Sequence, residues 1–104
     1  MSLSQDHKKH LRTIGHQLNP IVMIGDKGLT SSVLAELERA LNDHELIKVK
    51  VVTEDREEKK VIINELIAQT GSTLVQTIGH VALILRKVDK PNPKLSNLKR
   101  YDHI

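Results

Sequence analysis

Helical and strand-like patterns of apolar residues alternate along this chain, and their order constrains the fold more than any other feature of the sequence. Apolar residues at every third or fourth position predict helices, whereas short apolar runs and strict alternation predict strands. The helical patterns cover residues 4–19, 30–44 and 55–71, and the strand patterns cover residues 21–24, 47–51, 73–78 and 81–86. We therefore predict a compact single α/β (α+β) domain with the order α-β-α-β-α-β-β and a four-stranded mixed sheet.

Capping residues mark the ends of the predicted helices. Ser4 and Thr30 are predicted N-caps, and Asp55 stands three residues before Glu58, which is the spacing of a capping box. Gly71 is a suitable C-terminal stop for the third helix, because glycine adopts positive φ angles without steric cost. These positions agree with the boundaries that the apolar periodicity predicts.

The four strands are expected to differ in burial. Residues 21–24 form a continuous apolar run, which is typical of a buried strand. Lys48 and Lys50 alternate with apolar neighbours, so the second strand should have one apolar face and one solvated, positively charged face. Gly79-His80 predicts a two-residue hairpin turn, and we expect that hairpin to add an antiparallel edge to the sheet. The strand order does not follow from the sequence.

The chain has no Phe, Trp or Cys, and its single Tyr101 lies near the C-terminus. Val, Ile, Leu and Ala must therefore form the core, at roughly 1.5–3 kcal/mol per fully buried large aliphatic side chain. Without cysteine, disulfides and thiolate metal sites are excluded. No apolar run approaches the ~20 residues of a membrane span, and the polar residues 1–10 lack the apolar segment of a secretory signal. We expect a cytoplasmic protein with no membrane partner.

Charge is unevenly distributed along the sequence, although the formal net charge is only +3. Residues 7–27 hold four Lys or Arg against one Asp, and residues 86–104 hold six against two acidic residues, whereas residues 29–66 hold six basic and nine acidic residues. Cationic ends suggest a polyanion partner, but ordinary surface charge explains the same distribution equally well. We expect residues 1–87 to form the domain and the basic, proline-containing residues 88–104 to form a flexible tail, extended and poorly ordered alone.

The segment Gly25-Asp26-Lys27-Gly28 joins a predicted strand to the helix that Thr30 begins. Two glycines permit positive φ angles and close approach of the backbone to a ligand, and a helix N-terminus favours anions. The same GxxG device clamps the nucleic-acid backbone in KH domains. A lone GxxG is more often a simple turn, and the segment lacks the patterns of a P-loop or a dinucleotide-binding fingerprint. Its position between strand and helix favours a phosphate contact.

Four motifs along the chain carry a resemblance to a known family. They are Leu18-Asn19-Pro20-Ile21-Val22, Ile24-Gly25-x-x-Gly28-Leu29-Thr30, His44-Glu45-Leu46-Ile47-Lys48-Val49-Lys50 and Ile78-Gly79. In this order, from about Leu11 to about Arg86, they resemble the CRM (chloroplast RNA splicing and ribosome maturation) domain, whose stand-alone bacterial form is the YhbY family. The resemblance implies a fold similar to the C-terminal domain of translation initiation factor three. It also implies RNA binding through the GxxG loop and nearby basic surface, and association with precursors of the large ribosomal subunit (pre-50S).

The expected RNA contacts combine the loop with basic residues near both ends of the sequence. They are Gly25, Asp26, Lys27, Gly28 and Thr30 at the loop, Lys8, Lys9, Arg12 and His16 on the first helix, and Arg86 and Lys87 before the tail. Asp26 repels RNA phosphate and only Lys27 offsets it within the loop, so the loop alone should bind modestly and in a salt-sensitive manner. Lys48 and Lys50 could contact RNA or equally pair with acidic residues at positions 54–58. Without aromatic side chains in the folded part, recognition should rest on phosphate, sugar and shape.

Other functions have less support in the sequence. His7 and His10 share a helix face, but no third ligand stands at a suitable spacing, so we expect no metal and no cofactor. Ser31 and Ser32 are explained by helix capping, and no His/Asp pair is placed to activate them, so we expect no enzyme. The alternative to RNA binding is a protein-binding adaptor that docks on a ribosomal protein or assembly factor through the apolar sheet edge or the acidic third helix. In either case we expect a monomer.

Overall fold

The computed structural model describes residues 4–103, and the structural statements below refer to that part of the chain. The elements are α1 (Gln5–Gly15), β1 (Pro20–Ile24), α2 (Ser31–His44), β2 (Leu46–Val51), α3 (Arg56–Thr70), β3 (Thr73–Ile78), β4 (Val81–Leu85) and α4 (Asn97–Arg100). The predicted order is confirmed through β4, and α4 is an additional short helix in the C-terminal segment. None of these helices is long and apolar enough to cross a membrane.

The predicted caps explain where the long helices begin and end. Ser4 Oγ accepts a hydrogen bond from His7 N at 3.1 Å, and Thr30 Oγ1 accepts one from Val33 N at 3.2 Å. Each bond satisfies an N–H group that has no carbonyl partner in the first turn of its helix. Gly71 ends α3 with a φ of +66°, the left-handed conformation that favours glycine.

The start of α3 departs from the predicted capping box. Asp55 Oδ1 accepts bonds from Glu57 N at 2.9 Å and from Glu58 N at 3.3 Å, as expected of an N-cap. The return bond of the box is absent, because the Glu58 carboxylate accepts a bond from Thr53 Oγ1 at 3.4 Å instead. Thr53 Oγ1 in turn accepts the bond from Asp55 N at 3.3 Å. A hydroxyl two residues upstream thus takes the place of the glutamate.

The sheet has the strand order β1-β2-β4-β3, with β1 parallel to β2 and β4 antiparallel to both of its neighbours. The prediction that the final hairpin adds an antiparallel edge is confirmed: β4 pairs with β2, and β3 is the outermost strand. The sequences explain this order: four of the five residues of β4 are buried, whereas β3 carries the polar Gln76 and Thr77. An interior strand covered on both faces must be apolar on both, and β4 meets that requirement.

Two apolar clusters lie on opposite faces of the sheet. The larger one joins α2 and α3 to one face and includes Leu37, Leu66 and Val49. The second joins α1 to the other face and includes Leu11 and Leu46. Its sheet residues come mainly from the end where β2 begins and β4 ends, so α1 covers only that half of its face.

The other half of the α1 side of the sheet is open to solvent. We name it the open sheet face; by strand register it consists of Met23, Lys48, Lys50, Gln76, Ile78 and Val81. Met23 is 60% exposed and Ile78 is 61% exposed. The prediction that residues 21–24 form a buried strand is therefore wrong for one of its two faces. β1 is an edge strand, and the helix on that side packs elsewhere.

The C-terminal segment packs against the domain instead of extending from it. Ser96 and Asn97 are buried, and Leu98 and Tyr101 pack on the α1 cluster. Asn97 Nδ2 donates a hydrogen bond to Leu46 O at 2.7 Å, which joins α4 to the first residue of β2. Through α4 and Tyr101, the C-terminal segment thus shares the core of the preceding domain. Residues 1–3 and 104 of the two expected ranges lie outside the described chain.

Glu45 holds the C-terminal segment from the turn between α2 and β2. Its side chain is only 3% exposed, and its two carboxylate oxygens have different partners. Oε1 accepts a bond from Ser96 Oγ at 2.6 Å, and Oε2 accepts one from Val88 N at 2.8 Å. The φ angle of Glu45 is +61°, a conformation that costs a residue other than glycine about 1–3 kcal/mol. The bonds to the segment are made by a residue that the fold holds in a strained position.

Candidate nucleic-acid interface

The glycine loop follows β1 at the end of the sheet that α1 leaves uncovered. Gly28 N donates to Gly25 O at 3.0 Å, which closes a β-turn over the four residues. Gly25, Asp26 and Lys27 are exposed, whereas Leu29 packs on the larger core cluster and anchors the loop. The turn therefore presents its backbone to solvent from a fixed base.

The two glycines of the loop have different structural status. Gly28 has a φ of +70°, so the backbone conformation itself requires a glycine there. Gly25 has no positive φ, and a Cβ added to it would meet no atom within 4 Å. Neither backbone conformation nor packing requires a glycine at position 25. Its missing side chain leaves room for another molecule to approach the backbone of the turn.

α2 begins directly after the loop and directs the positive end of its dipole toward it. Thr30 caps the helix, and the first turn of α2 contains no acidic residue. The N–H groups of that turn and the dipole together attract anions, and Lys27 adds a positive charge. Asp26 is exposed in the same turn and opposes them. The loop and the helix start thus form an anion site of modest strength.

The basic residues of α1 lie on the same side of the sheet as the open sheet face but not beside the glycine loop. Lys9 and His16 are exposed, and Lys8 and Arg12 are half-buried. α1 packs near the start of β2, whereas the loop lies beyond β1, about 16 Å away along that five-residue strand. An RNA strand would have to cross the open sheet face to contact both groups.

Arg86 and Lys87 follow β4 and lie on opposite sides of the sheet. The Arg86 guanidinium pairs with Glu38 Oε2 at 2.6 Å and donates to Thr70 O at 2.8 Å and to Asn42 Oδ1 at 3.0 Å. These bonds connect β4 to α2 and to the end of α3, and they give Arg86 a structural role. Lys87 is exposed at the crevice between α1 and the C-terminal segment. Of the two, only Lys87 is placed to contact a ligand.

Lys48 and Lys50 lie on β2, in the middle of the open sheet face. The two ion pairs within residues 4–103 lie elsewhere, on α3 and around Arg86, so neither lysine pairs with the acidic residues 54–58. Lys50 is exposed and Lys48 is half-buried. Their positive charges are thus available to an anionic partner, and they lie between the loop and α1. The alternation of lysine with apolar residues in β2 predicts this arrangement.

Histidine and carboxylate side chains are dispersed over the surface. Within residues 4–103, no group of three such side chains is close enough to hold a metal ion. His7 and His10 lie at the crevice that α1 forms with the C-terminal segment, where Lys87 and Lys99 are their basic neighbours. The carboxylates of Glu45 and Asp102 line the same crevice, so its charge is mixed.

Most of the described chain matches a known family of domains. Residues 3–86 match the CRS1 / YhbY (CRM) domain. The chain belongs to this family. The match covers α1 through β4 and ends before the C-terminal segment that Glu45 holds. The C-terminal segment therefore lies outside the region that the family shares.

Relatives of this CRM domain carry names that refer to RNA. It is similar to a Pseudomonas aeruginosa protein named "Probable RNA-binding protein", with 52% identity over 101 residues and 97% of each chain covered. It is also similar to a Haemophilus influenzae protein named "RNA-binding protein", with 49% identity over 94 residues, which cover 90% of this chain and 95% of the relative.

A solved structure agrees with the fold. The solution structure of a hypothetical protein from Staphylococcus aureus, proposed to bind RNA, matches with a TM-score of 0.74 and 32% sequence identity. The match covers 86% of this chain and 93% of that one. The predicted α+β domain with a four-stranded mixed sheet is confirmed.

Proposed function

We propose that this CRM domain binds RNA at the glycine loop and the neighbouring basic surface, and that it acts by binding rather than by catalysis. The observation that carries the proposal is the glycine at position 25. The fold does not require a glycine there, whereas the close approach of an RNA backbone to the turn does. The names of the relatives support RNA as the anion that approaches.

Phosphate contacts should dominate the binding. The loop supplies backbone N–H groups, the start of α2 supplies its dipole, and Lys27 supplies one charge. Lys48 and Lys50 continue the positive surface across the open sheet face. No aromatic side chain lies along this path among the described residues, so bases are not read by stacking there. This composition supports weak sequence preference and strong salt dependence.

We further propose that the bound RNA is ribosomal RNA in precursors of the large ribosomal subunit, which would place the protein in the cytoplasm. The support is the resemblance of four ordered motifs to the stand-alone bacterial form of the domain. Cell lysate separated on a sucrose gradient should show the protein in fractions that contain large-subunit precursors. Its exclusive presence in mature subunits, or in neither, would contradict this part of the proposal.

The loop is tested by a pair of variants that change charge equally. Gly25→Asp adds a carboxylate where phosphate should lie, and Asn64→Asp adds one at an exposed position on α3. Fluorescence anisotropy with a large-subunit ribosomal RNA fragment should show binding weakened about tenfold or more by Gly25→Asp, the value of a lost charge-assisted contact. Asn64→Asp should change the Kd no more than about twofold.

Circular dichroism should show that both variants fold, because the site of the added side chain at position 25 is open. Gly28 is left unchanged because its φ of +70° would add backbone strain to any substitution. Equal affinities of the two variants would mean that the loop is only a turn and that other basic residues carry the binding.

A protein-binding adaptor is the second candidate, and the exposed apolar side chains of Met23 and Ile78 favour it. Their position on the open sheet face would suit a protein partner as well as an RNA strand. Treatment of the lysate with RNase before the gradient separates the two functions. Loss of the association would favour RNA, and an association that survives would favour a protein partner.

A further inference from the structure

The C-terminal segment forms a groove against the start of β1 and the first half of β2. We name it the tail groove; its volume is about 210 Å³, and its polar lining includes Gln17, Asn19, His44, Lys48, Arg100 and Tyr101. Two of these side chains are permanent cations, and no carboxylate is among the residues that line the groove. The charge of the groove therefore matches an anionic ligand.

We propose that the tail groove binds an unpaired nucleotide of the same RNA strand that the glycine loop holds. The inference rests on the RNA binding proposed above and adds a second contact to it. Lys48 and Arg100 attract the phosphate, and the amides of Gln17 and Asn19 provide the donors and acceptors that a base edge requires. Arg100 and Tyr101 lie beyond the residues that define the family, so this contact belongs to the C-terminal segment of this chain.

Arg100 and Tyr101 form a preorganised pair. The guanidinium carbon of Arg100 lies 5.3 Å from the centroid of the Tyr101 ring, within the range of a cation–π contact. Tyr101 is itself anchored, because it packs on the α1 cluster. Guanidinium planes and aromatic rings are the surfaces on which proteins stack unpaired bases. The C-terminal segment thus supplies the one aromatic group of the chain next to a cation.

His44 is a further polar group of the groove with capacity for a ligand. His44 Nδ1 lies 2.8 Å from Leu95 O, and a carbonyl only accepts, so Nδ1 carries the proton and Nε2 remains for other contacts. Asn97 lines the groove as part of its wall: its Oδ1 is buried, and its Nδ2 donates to Leu46 O.

Lys48 belongs to both the tail groove and the open sheet face, which makes the two surfaces continuous. From the groove, the path passes Lys48 and then Lys50 before it reaches the glycine loop at the end of β1. The path is about 16 Å long, the length of a five-residue strand. That length matches about five nucleotides at the 3.4 Å spacing of a stacked strand. A single strand of modest length can therefore contact both sites.

The test compares two variants that remove one charge each from neighbouring residues of α4. Arg100→Gln removes one of the two permanent cations of the tail groove, whereas Lys99→Gln removes an exposed cation that lies on the α1 crevice instead. With an unstructured ten-nucleotide RNA, Arg100→Gln should raise the Kd about tenfold and Lys99→Gln about twofold. Lys48→Gln, which does not alter the C-terminal segment, should reproduce the effect of Arg100→Gln.

Tyr101 provides a second readout, because it is the only aromatic residue of the chain. Saturating RNA should quench its fluorescence in the wild type and in Lys99→Gln. Equal affinities of Arg100→Gln and Lys99→Gln, or unchanged tyrosine emission at saturation, would overturn the tail groove while RNA binding stands. Failure of the wild type to bind any RNA would overturn the groove together with the proposed function.

Discussion

The Glu45 carboxylate joins the turn after α2 to the C-terminal segment, and its removal should release that segment. In Glu45→Ala, Ser96 Oγ and Val88 N lose the acceptor to which each donates. An unsatisfied buried donor costs about 1–3 kcal/mol. Alanine keeps a Cβ at a φ of +61°, so no backbone strain is relieved. We expect the free energy of unfolding to fall by about 2–4 kcal/mol. Detachment of the segment sets the upper limit of this loss, because both donors then bond to water.

Glu45→Gln is the matched control for this variant. The amide has the same shape, its oxygen can accept from Val88 N, and its nitrogen can donate to Ser96 Oγ, whose hydroxyl rotates to accept. Both contacts survive without the charge. We therefore expect Glu45→Gln to lower the free energy of unfolding by about 1 kcal/mol or less.

Urea unfolding followed by circular dichroism measures the loss of stability, and limited trypsin digestion measures release of the segment. Lys87 and Lys94 are cleavable positions in the segment, whereas Lys90 precedes a proline and resists cleavage. Cleavage after Lys94 should be faster in Glu45→Ala than in the wild type or Glu45→Gln. A Glu45→Ala variant with wild-type stability and wild-type cleavage would refute the reasoning. Equal destabilisation by alanine and glutamine would show that the charge, not the pair of bonds, is what matters.

Three further predictions concern charge. Arg86→Ala should lower the free energy of unfolding by about 2–3 kcal/mol in urea titrations, because Thr70 O and Glu38 lose their donor. The same variant should change RNA affinity only as much as the loss of any one surface charge. Asp26→Asn should tighten RNA binding about twofold to fivefold in anisotropy titrations, since a repulsive charge leaves the loop; weaker binding would contradict the position of phosphate there. Wild-type affinity should fall with salt at a log–log slope of about −3 to −5, from roughly four to seven phosphate contacts, and a slope near zero would exclude electrostatic binding.

The elements could be predicted because their signals are local. Thr30 bonds to Val33 N, three residues away, and Gly71 ends α3 through its own φ angle. Gly15 shows the limit of such reasoning, since it weakens the helical pattern of α1. A Cβ there would lie 2.8 Å from Leu83 Cδ2, so close packing on β4 explains a glycine that helix propensity disfavours.

Strand order and open faces could not be predicted, because they depend on residues distant in sequence. The apolar run at residues 21–24 is consistent with burial on both sides, and nothing within it shows that Met23 faces solvent. That exposure follows from the edge position of β1 and from where α1 packs. Lys48 and Lys50 were correctly expected on a solvated face because alternation within one strand is a local signal.

The candidate site divides in the same way. The glycine loop is contiguous in sequence, so the sequence predicts its residues together, and the structure adds the distinction between Gly25 and Gly28. The sequence groups Arg86 with the predicted RNA contacts because it belongs to a basic stretch. Its partner Glu38 stands 48 residues earlier, and charge alone does not reveal such a partner.

The C-terminal segment shows why composition predicted an extended tail where the structure has a packed one. Composition predicts disorder when a segment has too little apolar surface to offset the entropy of ordering it. Here polar bonds supply what apolar burial lacks: Ser96 and Asn97 bond to Glu45 and Leu46, each 51 residues away in sequence. A segment held in this way depends on one buried carboxylate more than on its own sequence. Because the tail groove exists only while the segment is docked, Glu45 would also control the second RNA contact without touching RNA.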